Sequence, residues 1–165
     1  MKKYEFTGET KQVELLFRTA TLHRIKAVAE FGVVKIGDIG GWIEKEENLS
    51  HEGDAWVYGD AEVYGDAWVY GDAWVYGNAE VRGNAKVFSI SHVLVIGPIG
   101  SRNDFTTFFR DKDSEITVKC GCFLGKIDKF LEKVCETHGD SQYAIVYRAA
   151  VEIAKQQIDL SEEKQ

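Results

Sequence analysis

Apolar positions along this chain follow different periods in different segments, and the clearest period is six. From Gly53 the chain reads GDAWVY, GDAEVY, GDAWVY, GDAWVY, GNAEVR, GNAKVF and then a decayed SISHVL. Val57, Val63, Val69, Val75, Val81, Val87 and Val93 form one column, and Ala55, Ala61, Ala67, Ala73, Ala79 and Ala85 form another two places earlier. Alternation along a strand puts both columns on one face, which must be the buried one. The residues between and after them, from Trp56 and Tyr58 to Lys86 and Phe88, are expected to point outward. Glycine at each corner opens backbone angles closed to other residues, and the adjoining Asp or Asn suits turns. A six-residue period does not fit an α-helix, and a flat meander would need a reversal every few residues. A coiling strand–corner–strand path fits.

The flanks follow other patterns. Residues 1 to about 30 read as β-rich, with strands near Tyr4–Phe6, Glu14–Thr19 and His23–Val28. The stretch from Gly37 to Ser50 reads as an irregular first coil, as expected where a solenoid covers its own open end. Beyond the repeat, Val93–Ile96 continues as a strand, and Gly97-Pro98-Ile99-Gly100-Ser101-Arg102 reads as a turn. Phe105–Arg110 and Glu115–Lys119 alternate well enough for a hairpin across Asp111–Ser114. Ile127, Phe130, Leu131, Val134 and Cys135 have helical spacing, ended by Gly139. Asp140 or Ser141 caps a second helix with Tyr143, Ala144, Tyr147, Val151, Ala154 and Ile158 on one face. The tail from Ser161 to Gln165 is expected to fray.

The repeat from Ile36 to Leu94 resembles the hexapeptide-repeat, left-handed parallel β-helix family, in which three hexads make a triangular coil of about eighteen residues. The fold class expected is therefore mainly β. An N-terminal β-rich cap (1–35) precedes a short left-handed β-helix (36–96), and a β-hairpin with two α-helices follows (97–165). The resemblance implies that residues eighteen apart stack, so Trp56 lies under Trp74 and Tyr58 under Tyr76. Trp68 and Tyr70 then lie below Lys86 and Phe88. Exposed aromatic patches of this kind suit an interface, and proteins of this fold are commonly trimers. Trp56, Tyr58, Trp68, Tyr70, Trp74 and Tyr76 are the expected contact residues of a homotrimer. A longer match, LHRIKAVAEFGVVKIGDIGGWIEKEENLSHEGDAWVYGDA followed by IGSRNDFTTFF, CGCF, HG and YA, resembles small hexapeptide-repeat proteins carried by phages and prophages. This implies a bacterial host cell as the setting.

Composition narrows the functional classes. Of 165 residues, 16 are Gly and one is Pro, which suits many tight turns. A net charge of −7 argues against general nucleic-acid binding, which needs a basic face. Cys120, Cys122 and Cys135 are an odd number, and the start has no apolar signal segment. No run approaches a membrane span. The expectation is a cytoplasmic protein with reduced thiols, no membrane partner and no cofactor.

Candidate chemistry concentrates after the repeat. Gly100, Ser101 and Arg102 can offer backbone N–H groups, a hydroxyl and a guanidinium, with Thr106, Thr107, Arg110 and Lys119 near in sequence. That set suits phosphate oxygens. His51 and His92 are the candidate general bases of a hexapeptide-repeat acyltransferase, His92 facing outward; nothing in the sequence near either supplies an orienting partner. His23 and His138 read as surface or capping residues. Cys120-Gly121-Cys122 lacks a second pair for zinc, and its cysteines read as small buried hydrophobes. The Asp54, Asp60, Asp66, Asp72 column does not converge on one ion and reads as turn chemistry, so no metal is expected. Three functions follow. The leading one is a non-enzymatic counter-defence protein that sequesters a small anionic ligand, such as a nucleotide immune signal, at subunit clefts. The others are a module that blocks a host defence protein by contact, and an acyltransferase.

Overall fold

Each hexad folds as a two-residue strand and a glycine corner. In the computed structural model, which describes residues 1–161, these strands are β4 (Trp56–Val57), β5 (Glu62–Val63), β6 (Trp68–Val69), β7 (Trp74–Val75), β8 (Glu80–Val81) and β9 (Lys86–Val87). Gly53, Gly59, Gly65, Gly71, Gly77 and Gly83 turn the corners with φ between 63° and 68°, where a Cβ is strained. Pairing is parallel between residues eighteen apart: Trp56 with Trp74, Glu62 with Glu80, Trp68 with Lys86. The chain therefore lays down three strands before it returns beside itself. The columns face inward: the six valines from Val57 to Val87 are 0% exposed and the six alanines at most 2%. Val93 leaves the column, because a 3₁₀ turn at Ile90–His92 interrupts the period and Val93 starts a new strand. The chain is mainly β, with mixed sheets and two helices.

A parallel stack leaves a row of carbonyls open at its first edge, where no earlier coil donates. Here the carbonyls are met in different ways. The Lys3 ammonium donates to the carbonyls of Gly53 and Ala55, and the Asn48 amide to those of Gly65 and Ala67. Backbone N–H groups of Trp42, Glu44 and Ser50 serve Ala61, Val63 and Val69. Both side chains are buried, and burial pulls the Lys3 ammonium down to about 8 against the Asp54 carboxylate. The irregular segment before the repeat is thus a lid on the coil end.

The N-terminal segment forms β1 (Tyr4–Glu14) and β2 (Thr19–Ala27), an antiparallel hairpin that pairs with β3 (Ile39–Ile43). The parallel β3–β5 pairing joins it to the repeat in a five-stranded sheet, β1-β2-β3-β5-β8. The strand expected at Glu14–Thr19 is instead the hairpin turn, closed by the Leu15 N–H to the Arg18 carbonyl. The hairpin buries Tyr64 among Ala20, Leu22 and Trp42.

Two compact units divide at Ile90/Ser91, so the strand after the repeat belongs to the second unit rather than to the coil. That unit holds an antiparallel sheet of β10 (Val93–Ile99), β11 (Asp104–Arg110), β12 (Ile116–Cys120) and β13 (Phe123–Lys126). Helices α1 (Ile127–His138) and α2 (Gln142–Gln157) follow. The hairpin expected across Asp111–Ser114 is present. The expected turn at 97–102 is displaced: β10 runs to Ile99, and the turn closes with the Asn103 N–H to the Gly100 carbonyl. Gly139, at φ 56, ends α1, and Ser141 stands at the α2 N-cap. Phe108, Val118, Phe130, Val134, Tyr147 and Val151 share one core, where each large apolar side chain contributes about 1.5–3 kcal/mol on burial. Tyr143 is the exception to the expected inner face: it is 46% exposed, because α2 buries the 144, 147, 150/151, 154 row beside it. No helix among the described residues is long and apolar enough to cross a membrane. Of the tail expected to fray, the part beyond Ser161 lies outside the described residues.

Candidate functional site

The second unit contains a cavity of about 180 Å³ assembled from four places in the chain. The turn after β10 brings Ser101 and Arg102. The turn between β12 and β13 brings Cys120, Cys122 and Phe123. The α1 helix brings Phe130, Lys133, Val134, Thr137 and His138, and α2 brings Tyr147. Phe130 and Val134 are core residues, so the floor is apolar, whereas Arg102 and Lys133 are exposed and stand at the rim. The tyrosine ring lies edge-on to Phe130 and stacks on His138 at 5.8 Å. Burial pushes the Tyr147 phenol up to about 12, with Cys120 adding to the shift and Arg102 opposing it.

Cys120 and Cys122 flank Gly121, whose φ of 56 makes the tight turn. The Arg102 guanidinium packs over this turn, with Nη1 3.1 Å from the place a Gly121 Cβ would occupy. The Lys119 ammonium donates to the Gly121 carbonyl. The Cys120 sulfur accepts from the Thr106 hydroxyl at 3.5 Å, and its S–H donates to the Tyr147 oxygen at 3.9 Å. The burial expected of Cys120 and Cys122 is only partly met: Cys120 is half-buried and Cys122 exposed, and Cys135 on α1 is exposed as well.

Of the residues expected to bind a ligand, Ser101 and Arg102 line the cavity. Gly100 borders it, at φ 77 and so close to Tyr147 that a Cβ would overlap the hydroxyl. Lys119 reaches the turn beneath Arg102. Thr106, Thr107 and Arg110 are not among the lining residues: they are 1%, 1% and 5% exposed, on β11 between β10 and β12. Arg110 donates to the Ser114 hydroxyl. Sequence reasoning missed Lys133, Thr137, His138 and Tyr147. Their only signal is helical spacing, Lys133 to Thr137 and Val134 to His138, which marks a face but not what it lines.

The outward aromatics differ in fate. Trp56 is 3% exposed, packed edge-on by Tyr4 and Phe31 of its own chain, and so is unavailable to a partner subunit. Tyr70 lies under the Trp68 ring at 3.8 Å and is 9% exposed. Tyr58 and Trp74 are half-buried, 5.3 Å apart. Trp68 and Tyr76 stay open, at 43% and 45%.

The two histidines expected as general bases for acyl transfer differ in exposure. His92, expected to face outward, is 2% exposed. His51 accepts the Lys3 N–H at Nδ1 and stacks on Tyr4 at 4.2 Å, and burial holds its imidazole below the ordinary value. His23 stacks on Phe6 rather than capping a helix. Asp111, Asp113 and Glu115 converge on Lys126 at 2.8, 2.9 and 3.0 Å, so an ammonium sits where these carboxylates gather. Among the described residues no group of three or more His, Cys, Asp or Glu is placed to hold a metal.

No family model matches the chain. Among curated proteins, 62 residues are 34% identical to a protein of Escherichia coli (strain K12) described as the uncharacterized acetyltransferase YdcK. The match covers 35% of this chain and 19% of that protein's length, so the likeness concerns a segment of each.

Proposed function

We propose that the cavity of the second unit binds a small anionic molecule with a flat or apolar body, of nucleotide type, in a protein whose repeat is a left-handed β-helix. The observation that carries this is the pairing of an apolar floor with a cationic rim. Phe130 and Val134 offer a surface for a ring or acyl chain, while Arg102 and Lys133 sit where phosphate or carboxylate oxygens would fall. A counter-defence role is one use of such a site. The reading of the repeat as a left-handed coil is supported by the six-residue period and the eighteen-residue register.

Calorimetry with mono- and dinucleotides tests the reading. Arg102→Glu and Lys133→Glu should each weaken binding by roughly tenfold or more, the scale of one charge-assisted hydrogen bond. Undiminished affinity in both variants would remove the cavity from the binding site.

Acyl transfer is the second reading, favoured by the name of the E. coli protein. Its base would be His138, the histidine inside the cavity, rather than His51 or His92. Coenzyme A release from acetyl-coenzyme A, abolished by His138→Ala, would establish it. Nucleotide binding with no acyl turnover would favour the first reading.

A further inference from the structure

The two thiols of the cavity have no role in that reading, although they occupy its edge. Cys122 is exposed, and Cys120 lies two residues away across a glycine turn with its sulfur engaged by Thr106 and Tyr147. The Arg102 guanidinium lies over the turn, and Lys133 and His138 line the same cavity. Cys135 is exposed on α1 but is not among the lining residues, so the chain carries its own comparison thiol. The thiolate is the attacking form in thiol–disulfide exchange, and cationic side chains gather anionic reagents.

We infer that Cys122 and Cys120 form a thiol–disulfide exchange site for small anionic disulfides, of which oxidised glutathione is the type. This rests on the reading that the cavity attracts anions. The Cys122 thiolate attacks one sulfur of the disulfide. A mixed disulfide forms, the original S–S bond breaks, and one small thiolate leaves and takes a proton from water. Cys120 then gives up its proton to water and attacks the Cys122 sulfur. The Cys120–Cys122 bond forms as the mixed disulfide breaks and the second small thiolate leaves. Two protein thiols are oxidised, and one small disulfide is reduced to two thiols. Exposure makes Cys122 the attacking sulfur, and the partly covered Cys120 the resolving one.

The test uses the full chain and two reagents, the dianionic dithiobis(nitrobenzoate) and the neutral dithiodipyridine, followed by stopped flow. Cys122→Ser should remove the fast phase with the anionic reagent, and Cys135→Ser should leave it intact. Arg102→Gln and Lys133→Gln should slow the anionic reagent, Arg102→Gln by roughly tenfold, without slowing the neutral one. On a Cys135→Ser background, oxidised glutathione should leave the protein two hydrogens lighter and without an adduct by mass spectrometry, whereas adding Cys120→Ser should keep one glutathione. A Cys122 no faster than Cys135, equal slowing of both reagents, or an adduct that persists beside an intact Cys120 would each overturn the inference. Nucleotide calorimetry on Cys122→Ser separates the two readings. Retained binding with a slow, charge-blind thiol removes the exchange site alone; a fast, charge-selective thiol on a protein that binds no nucleotide removes the ligand reading alone.

Discussion

Asp111 organises the β11–β12 turn with one carboxylate. Its Oδ1 accepts the N–H groups of Asp113 and Glu115, and its Oδ2 accepts the Thr117 hydroxyl and the Lys126 ammonium. Burial alone would raise this carboxyl, but the hydrogen bonds outweigh it and hold the group below the ordinary carboxylate range. A depressed folded value means stability that is present above the unfolded value, about 4, and lost as pH falls through the folded one. Asp111→Asn should therefore cost about 1–3 kcal/mol in urea unfolding at neutral pH, the scale of a stranded buried partner. The gap between variant and parent should narrow near pH 3. An equal gap at both pH values would show that packing, not charge, carries the effect.

At the scale of the element, the glycine corners share one backbone angle but not one environment. A Cβ on Gly53 would lie 2.7 Å from the Gly71 carbonyl oxygen, whereas one on Gly77 meets nothing within 4 Å. Both positions have φ above 60°, so alanine at either costs about 1–2 kcal/mol of left-handed strain. Gly53→Ala adds a backbone collision between coils and should destabilise clearly more than Gly77→Ala in denaturant titration. Equal losses would mean that the coils separate freely. The lid shows the same logic in polar form: Lys3 and Asn48 act on different parts of one open edge, because a strand ladder has donors and acceptors to satisfy wherever it stops.

At the scale of the whole molecule, Trp68 and Tyr76 remain large exposed aromatics that the chain does not cover itself. Of the six residues expected at a homotrimer contact, they are the most exposed. If the chain trimerises through this face, Trp68→Glu with Tyr76→Glu should give a folded monomer in native mass spectrometry, with the circular dichroism unchanged. Trp56→Glu should instead unfold the first unit, because its ring is packed inside one chain by Tyr4 and Phe31. A trimer that persists in the double variant would place the interface elsewhere.

The eighteen-residue register was expected from the resemblance to coils of three hexads, whereas the six-residue period by itself determined the strands, the corners and the inward columns. These depend on alternation and on glycine's backbone range, which act over a few bonds. The two α-helices and the β11–β12 hairpin were legible for the same reason. Burial of the outward residues was not. Trp56, Trp68 and Trp74 occupy the same place in identical GDAWVY units, yet one is buried, one exposed and one intermediate. Identical neighbours cannot distinguish them; only the fold-back of Tyr4 and Phe31, some 50 and 25 residues away in sequence, does so. The cavity likewise needed tertiary structure. Ser101 and Arg102 were visible as a polar turn, but Lys133, His138 and Tyr147 join them only when α1 and α2 pack on the sheet, and β11 hides Thr106, Thr107 and Arg110 in the same step.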